Sequence, residues 1–185
     1  MAKASQVVIL AEDSRHQAFL RRFLYDLGYS RHDLRFEPIP SQSREGAGEQ
    51  WVRENYTRVV AAYRRRASMA KTALVVILDA DTKPVANRST QLAEELRAAS
   101  LLPRNDTEAI AHIIPKRAIE TWLLFLNDRA VNEDDDYRHT RDADELVRPA
   151  VVKFLDLLRL GEGRPTNVLE SVRLGLKESE RIPRP

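Results

Sequence analysis

Apolar residues along this chain fall into short unbroken runs separated by longer amphipathic stretches. The first run, Gln6 to Ala11, and a later one, Ala73 to Leu78, are rich in Val, Ile and Leu. Each is too short for a membrane span and suits a strand buried on both faces. Leu20, Phe23, Leu24 and Leu27 recur at helical spacing, predicting a helix that Ser14 and Gln17 open as a capping box and Gly28 stops. Leu34 to Ile39 alternates and carries Pro38, the signature of an edge strand. Pro40 to Gly48 reads as a loop. A long helix follows from about Gln50 to Met69, its buried stripe marked by Trp51, Asn55 or Tyr56, Val59 or Val60, and Tyr63. Helices are expected over Gln91–Ala99, with Asn87 or Ser89 as cap, and over Arg117–Leu126. Between them Ala109 to Ile114 supplies a fourth strand. Two helices, about Asp144–Leu160 and Thr166–Glu178, close the chain before a tail, Arg181–Pro185, expected to fray.

Strand–helix repeated four times predicts an α/β fold: a mostly parallel four-stranded sheet with helices on both faces and two extra C-terminal helices. A single domain over 1–185 is expected, with its core at about 5–127 and a helical extension at about 143–180. The 185 residues suffice for one such core, and 43% hydrophobic against 31% charged residues excludes a disordered chain. The absence of cysteine excludes disulfides and thiolate metal sites. No leader-like or membrane-spanning run stands out, so the expectation is a cytoplasmic protein with no membrane partner. The net charge of +2 is a weak signal for nucleic acid. Arginine supplies 24 of the 30 basic residues, which suits phosphate recognition or reflects the base composition of the gene. Arg53, Arg58 and Arg64 to Arg66 lie mostly off the buried stripe of the long helix. They form either a solvated face or a track for a phosphate backbone.

The chemistry gathers at strand ends. The first strand stops on Glu12 and Asp13, and the third stops on Asp79 and Asp81, one residue apart. In open parallel sheets ligands bind outside the carboxyl ends of the strands, and buried carboxylates need a counter-charge. Oxygen ligands without Cys or clustered His suit Mg²⁺ or Mn²⁺. Glu12, Asp79 and Asp81 are the candidate metal ligands. Asp13 either joins them or caps the following helix. If these acids converge, the first and third strands are neighbours. His16, His32, His112 and His139 are scattered, and His112, inside a predicted strand, reads as a core or edge histidine. The acidic run Glu133–Asp136 lacks the ligand spacing of a calcium loop. There is no glycine-rich phosphate loop.

Leu10-Ala-Glu-Asp-Ser and Leu78-Asp-Ala-Asp-Thr together resemble the Toprim domain of topoisomerases, bacterial primases, small RNA-processing nucleases and OLD (overcoming-lysogenization-defect) nucleases. Ile114-Pro-Lys-Arg-Ala-Ile-Glu-Thr-Trp-Leu-Leu is similar to a segment of small stand-alone Toprim-like proteins. The resemblance implies a hydrolase: a Mg²⁺- or Mn²⁺-dependent nuclease acting on DNA or RNA. Glu12 would be general acid/base or metal ligand, and Asp79 and Asp81 would hold the ion. Lys116 or Arg117 would stabilise the phosphate, with Glu120 as a further ligand. It also implies an ATPase partner in trans and a homodimer as expectations. Asp13 stands where that family commonly has glycine. The same opening, Val8 to Leu24, also looks like a response-regulator receiver domain, in which Asp79 would accept a phosphoryl group. A third reading is a Toprim fold that binds without catalysing.

Overall fold

The apolar runs fold as the strands they predict. The computed structural model describes residues 4–39, 47–67 and 69–185. In chain order the elements are β1 (Gln6–Ala11), α1 (Ser14–Asp26), β2 (Leu34–Phe36), α2 (Ala47–Ala67), β3 (Thr72–Ile77), α3 (Val85–Ala98), β4 (Ile110–Ile113), α4 (Ile119–Leu126), α5 (Ala143–Leu160) and α6 (Glu170–Ser179). The four strands form one all-parallel sheet in the order β2-β1-β3-β4. β1 and β3 are therefore neighbours, paired from Gln6 opposite Thr72 to Ala11 opposite Ile77.

Strict alternation sends each strand's side chains to two cores. Val7, Ile9, Ala11, Val75 and Ile77 face α1, α4, α5 and α6, where Phe19, Phe23, Trp122 and Phe154 interlock. Phe154 meets Phe19 and Phe23 edge-on at 5.5 and 5.3 Å and stacks on Trp122 at 5.7 Å. Val8, Leu10, Leu74, Val76 and Leu78 face α2 and α3, against Val52, Tyr56, Val60, Leu92 and Leu96. The two C-terminal helices are thus part of the larger core.

Several boundaries differ from the sequence expectation. Asp13, not a Ser14–Gln17 box, caps α1: its Oδ1 accepts the amides of Arg15 and His16, while Gln17 Nε2 donates to the Glu37 carbonyl. Gly28 stops α1 as expected, at φ 103°, with its amide on the Tyr25 carbonyl and that of Tyr29 on Leu24, a Schellman closure. β2 is three residues, shorter than Leu34–Ile39. α3 starts at Val85 behind Pro84, two turns before the first apolar repeat. Of the expected Pro40–Gly48 loop, residues 40–46 lie outside the described residues, and 47 and 48 open α2. The tail is packed: Ile182 is buried and the Tyr29 hydroxyl donates to the Pro183 carbonyl.

The outer edge of β4 is closed by side chains. Arg104 donates to the Ile110 carbonyl at 2.7 Å, and the His112 amide donates to Glu178 of α6 at 2.8 Å. Arg104 and Glu178 are themselves paired. His112 is a core histidine, buried with Nε2 2.8 Å from the Tyr56 hydroxyl; burial holds its pKa well below the usual value.

Among the described residues no helix is long and apolar enough to cross a membrane.

Candidate metal centre at the ends of β1 and β3

Strand order creates the site. The connection from β1 runs to β2 on one side, and that from β3 runs to β4 on the other. The two chains diverge between β1 and β3, where open α/β sheets leave a crevice. Glu12 is still tied to the sheet, its amide donating to the Ile77 carbonyl at 3.1 Å. Its side chain turns across to β3, where Oε2 accepts the Asp79 amide at 2.9 Å. The first turn of α2 lies directly on Glu12. A Cβ at Gly48 would come within 2.6 Å of the Glu12 carbonyl oxygen and 2.7 Å of its Cγ, so this contact requires glycine.

The Asp13 cap places His16 one turn into α1, facing the sheet. His16 is completely buried between two carboxylates. Nε2 is 2.9 Å from Asp79 Oδ1, a hydrogen bond. Nδ1 is 2.9 Å from Asp13 Oδ1 but is not directed at it, so this second contact is an ion pair without hydrogen-bond geometry. One ligand atom each from Glu12, His16 and Asp79 lie within 4.8 Å of one another.

These groups perturb each other strongly. Burial pushes the Glu12 carboxyl up to about 7; His16 opposes this and the neighbouring Asp79 charge adds to it. Burial also raises Asp79, against the pull of His16. Burial works the same way on Asp13, but His16 and the two capping amides win and hold it far below the ordinary carboxylate range. Burial disfavours the His16 cation, yet Asp79 and Asp13 together drive its pKa well up. The imidazole, flanked on both sides by carboxylate, is the group that keeps the proton.

The other expected site residues are placed differently. Asp81, one residue beyond the pocket, is gripped by Arg88 at 3.0 Å and by Arg138. Arg88 is itself buried and also donates to the Asp79 carbonyl at 3.0 Å and to Glu49. Glu120 is buried at the start of α4 and paired with Arg15; burial raises its carboxyl, while Arg15 lowers it. Lys116 forms an ion pair with Asp134 at 2.8 Å. The arginines of α2 are engaged within the fold: Arg53 on Glu49 and Glu95, Arg58 on Glu37, Arg64 on Glu108, Arg66 on Gln6.

Sequence reasoning did not single out His16, Arg88 or Arg138. The one available signal was for His16, three residues after Asp13 and hence in the first turn of a helix that Asp13 caps.

The donor set fits a divalent cation. A buried and a half-buried carboxylate that are costly to ionise side by side gain a counter-charge, and the imidazole offers nitrogen once it loses its proton. Carboxylate with imidazole suits Mn²⁺, Fe²⁺ or Zn²⁺, whereas Mg²⁺ prefers oxygen alone. Compared with family models, with curated proteins and with solved structures, the chain matches none.

Proposed function

We propose that the chain is a divalent-cation-dependent enzyme of phosphodiester chemistry on nucleic acid, of the Toprim nuclease type. The observation that carries this reading is the meeting of Glu12 and Asp79, from neighbouring parallel strands, with His16 at the β1/β3 crevice. Glu12, Asp79 and His16 would hold the ion, which supplies neutralisation of the charge that develops on phosphate oxygens. Glu12, with its carboxyl raised to about 7, is suited to give or take a proton near neutral pH. Until an ion enters, His16 keeps its proton and holds Asp79 in place. Arg88 and Arg138 fix Asp81, and Lys116 is the nearest lysine after β4 for contact with phosphate.

The test is cleavage of plasmid, single-stranded DNA and RNA in Mn²⁺, Mg²⁺ or EDTA, beside Asp79→Asn. Cleavage that requires metal and disappears in the folded variant supports the reading. Cleavage that survives EDTA or Asp79→Asn overturns it.

One observation favours a second reading. The order β2-β1-β3-β4 is that of the first four strands of the flavodoxin-like sheet used by receiver domains. Against it, Asp79 is buried against His16, and the place of a fifth strand is taken by Arg104 and Glu178. Acetyl-phosphate labelling at Asp79 would select the receiver.

A further inference from the structure

Beside the pocket lies a group of cations that the reading above does not use fully. Asp81 (φ 56°) and Arg117 (φ 67°) are both in the left-handed backbone region and face each other across an antiparallel bridge. Two non-glycine residues held this way cost energy, and such strain concentrates where a site needs it. The bridge brings Lys116 and Arg117, from the β4–α4 turn, next to Arg138, from the 127–142 loop. Arg138 donates to Asp81 and, at 3.1 Å, to the Arg117 carbonyl. It lies near enough to Asp79 for their charges to interact.

This cluster is incompletely satisfied. Arg117 Nε is buried and has no hydrogen-bond partner among the described residues, which is rare for a guanidinium donor. A terminal nitrogen of Arg117 lies 3.5 Å from Asp136. Asp136 is also 3.9 Å from Arg138, and Asp134 is 2.8 Å from Lys116. All three cations therefore face carboxylates of one short acidic run. The run is pinned at both ends: Glu133 accepts the Ser171 amide at 3.1 Å, and the Tyr137 hydroxyl accepts the Asn132 amide at 3.1 Å. Between the pins the Asp134 side chain is 76% exposed, so it can leave Lys116 without uncovering the core.

We infer that Lys116, Arg117 and Arg138 form a binding site for the phosphate backbone of a single nucleic-acid strand, and that Asp134 and Asp136 fill it in the resting protein in place of phosphate. This rests on the phosphodiester reading of the neighbouring pocket. Planar guanidinium groups match phosphate with paired hydrogen bonds, and a phosphate oxygen supplies the acceptor that Arg117 Nε lacks. The acidic run keeps weak polyanions out and yields to a strand that contacts several cations together.

The experiment measures fluorescence anisotropy of labelled oligodeoxythymidine and oligouridine in EDTA, so neither metal nor turnover is needed. Asp134→Asn/Asp136→Asn is expected to bind roughly tenfold tighter than wild type. Its salt dependence should steepen by about 1.4 in log–log slope, two further phosphate contacts on a single strand. Adding Lys116→Gln or Arg117→Gln to that variant should return binding to the wild-type level; Lys116 is a half-buried side chain whose partner, Asp134, is mostly in water, so at least one of these keeps the fold. Asp128→Asn/Asp156→Asn, the same charge change at residues paired with Lys153 and Arg159, should leave binding unchanged. Unchanged binding of Asp134→Asn/Asp136→Asn, an equal gain from the control, or a gain that survives loss of Lys116 and Arg117 overturns the site. Tighter binding with no cleavage in Mn²⁺ would count against the nuclease reading and leave this site standing. Cleavage with unchanged binding would do the reverse.

Discussion

The pocket and its rim treat charge in opposite ways. In the pocket Asp79 and His16 are withdrawn from water and Glu12 is half-buried, and two of the three carboxylates touching His16 or its partner are pushed up by burial. At the rim Asp81, Lys116, Asp134, Asp136 and Arg138 form a partly exposed lattice in which most charges already have an opposite neighbour. A paired surface charge contributes little to stability, whereas a buried one becomes costly once its partner is removed. The pocket therefore holds electrostatic strain that a ligand can relieve, and the rim holds contacts that a ligand can exchange at small cost.

The largest effect that would break this contrast is at His16. His16→Ala leaves the buried Asp79 and the half-buried Asp13 without their cation and should cost about 3–5 kcal/mol in urea denaturation at neutral pH. His16 has a raised folded pKa, so its stabilising charge is fully present below its unfolded value near 6.5 and is lost as pH rises through the folded value. The penalty of the variant should shrink in alkali. A loss below about 1 kcal/mol at pH 6 would remove the distinction between pocket and rim.

Cation binding comes next. If Glu12, His16 and Asp79 take Mn²⁺, saturation at about 100 times Kd should stabilise the wild type by about 2.7 kcal/mol, read as a rise in Tm, and leave Asp79→Asn unmoved. An equal rise in both proteins would place the ion elsewhere.

Glu12 gives an effect of similar sign to a released strain. Its carboxyl is raised from 4.5 to about 7, so the folded state holds a proton that the unfolded state has lost. The Glu12 contribution to stability should fall as pH rises from about 4.5 to about 7 and then level off. Glu12→Gln removes that contribution and should be about 2 kcal/mol more stable than wild type at pH 8, after discounting for partial exposure. A Glu12→Gln variant no more stable than wild type at pH 8 would contradict the burial argument.

The smallest effect is at the rim. Lys116→Gln should change stability by less than about 1 kcal/mol, since its partner Asp134 is mostly in water. A larger loss would mean that the acidic run is part of the fold's support.

The framework was legible because it is written in apolar periodicity. β1 and β3 came from unbroken Val, Ile and Leu runs, and the acids at their ends pointed to one another once parallel neighbours were assumed. What escaped the sequence was polar and buried. The apolar repeat of α3 begins at Leu92, so the helix was expected from Gln91; its earlier turns carry the buried Arg88, a residue that periodicity reads as solvated. His16 is a lone histidine whose role depends on Asp79, 63 positions away. Asp81 was expected beside Asp79 in the pocket, but its left-handed backbone, unusual outside glycine, turns it to Arg88 and Arg138. In the tail a single apolar residue, Ile182, was too little pattern to predict docking.

The Arg104–Glu178 pair on β4 has a consequence for behaviour at high concentration. A parallel sheet that ends on a bare strand offers its backbone as a template to other chains. Here the outward Ile110 carbonyl and His112 amide are already taken by a guanidinium and a carboxylate, which act as the missing neighbour strand. Glu178→Ala would strip that cover and hand the edge to intermolecular β-pairing. The defect would show first as self-association and loss of solubility, before the fold itself gives way.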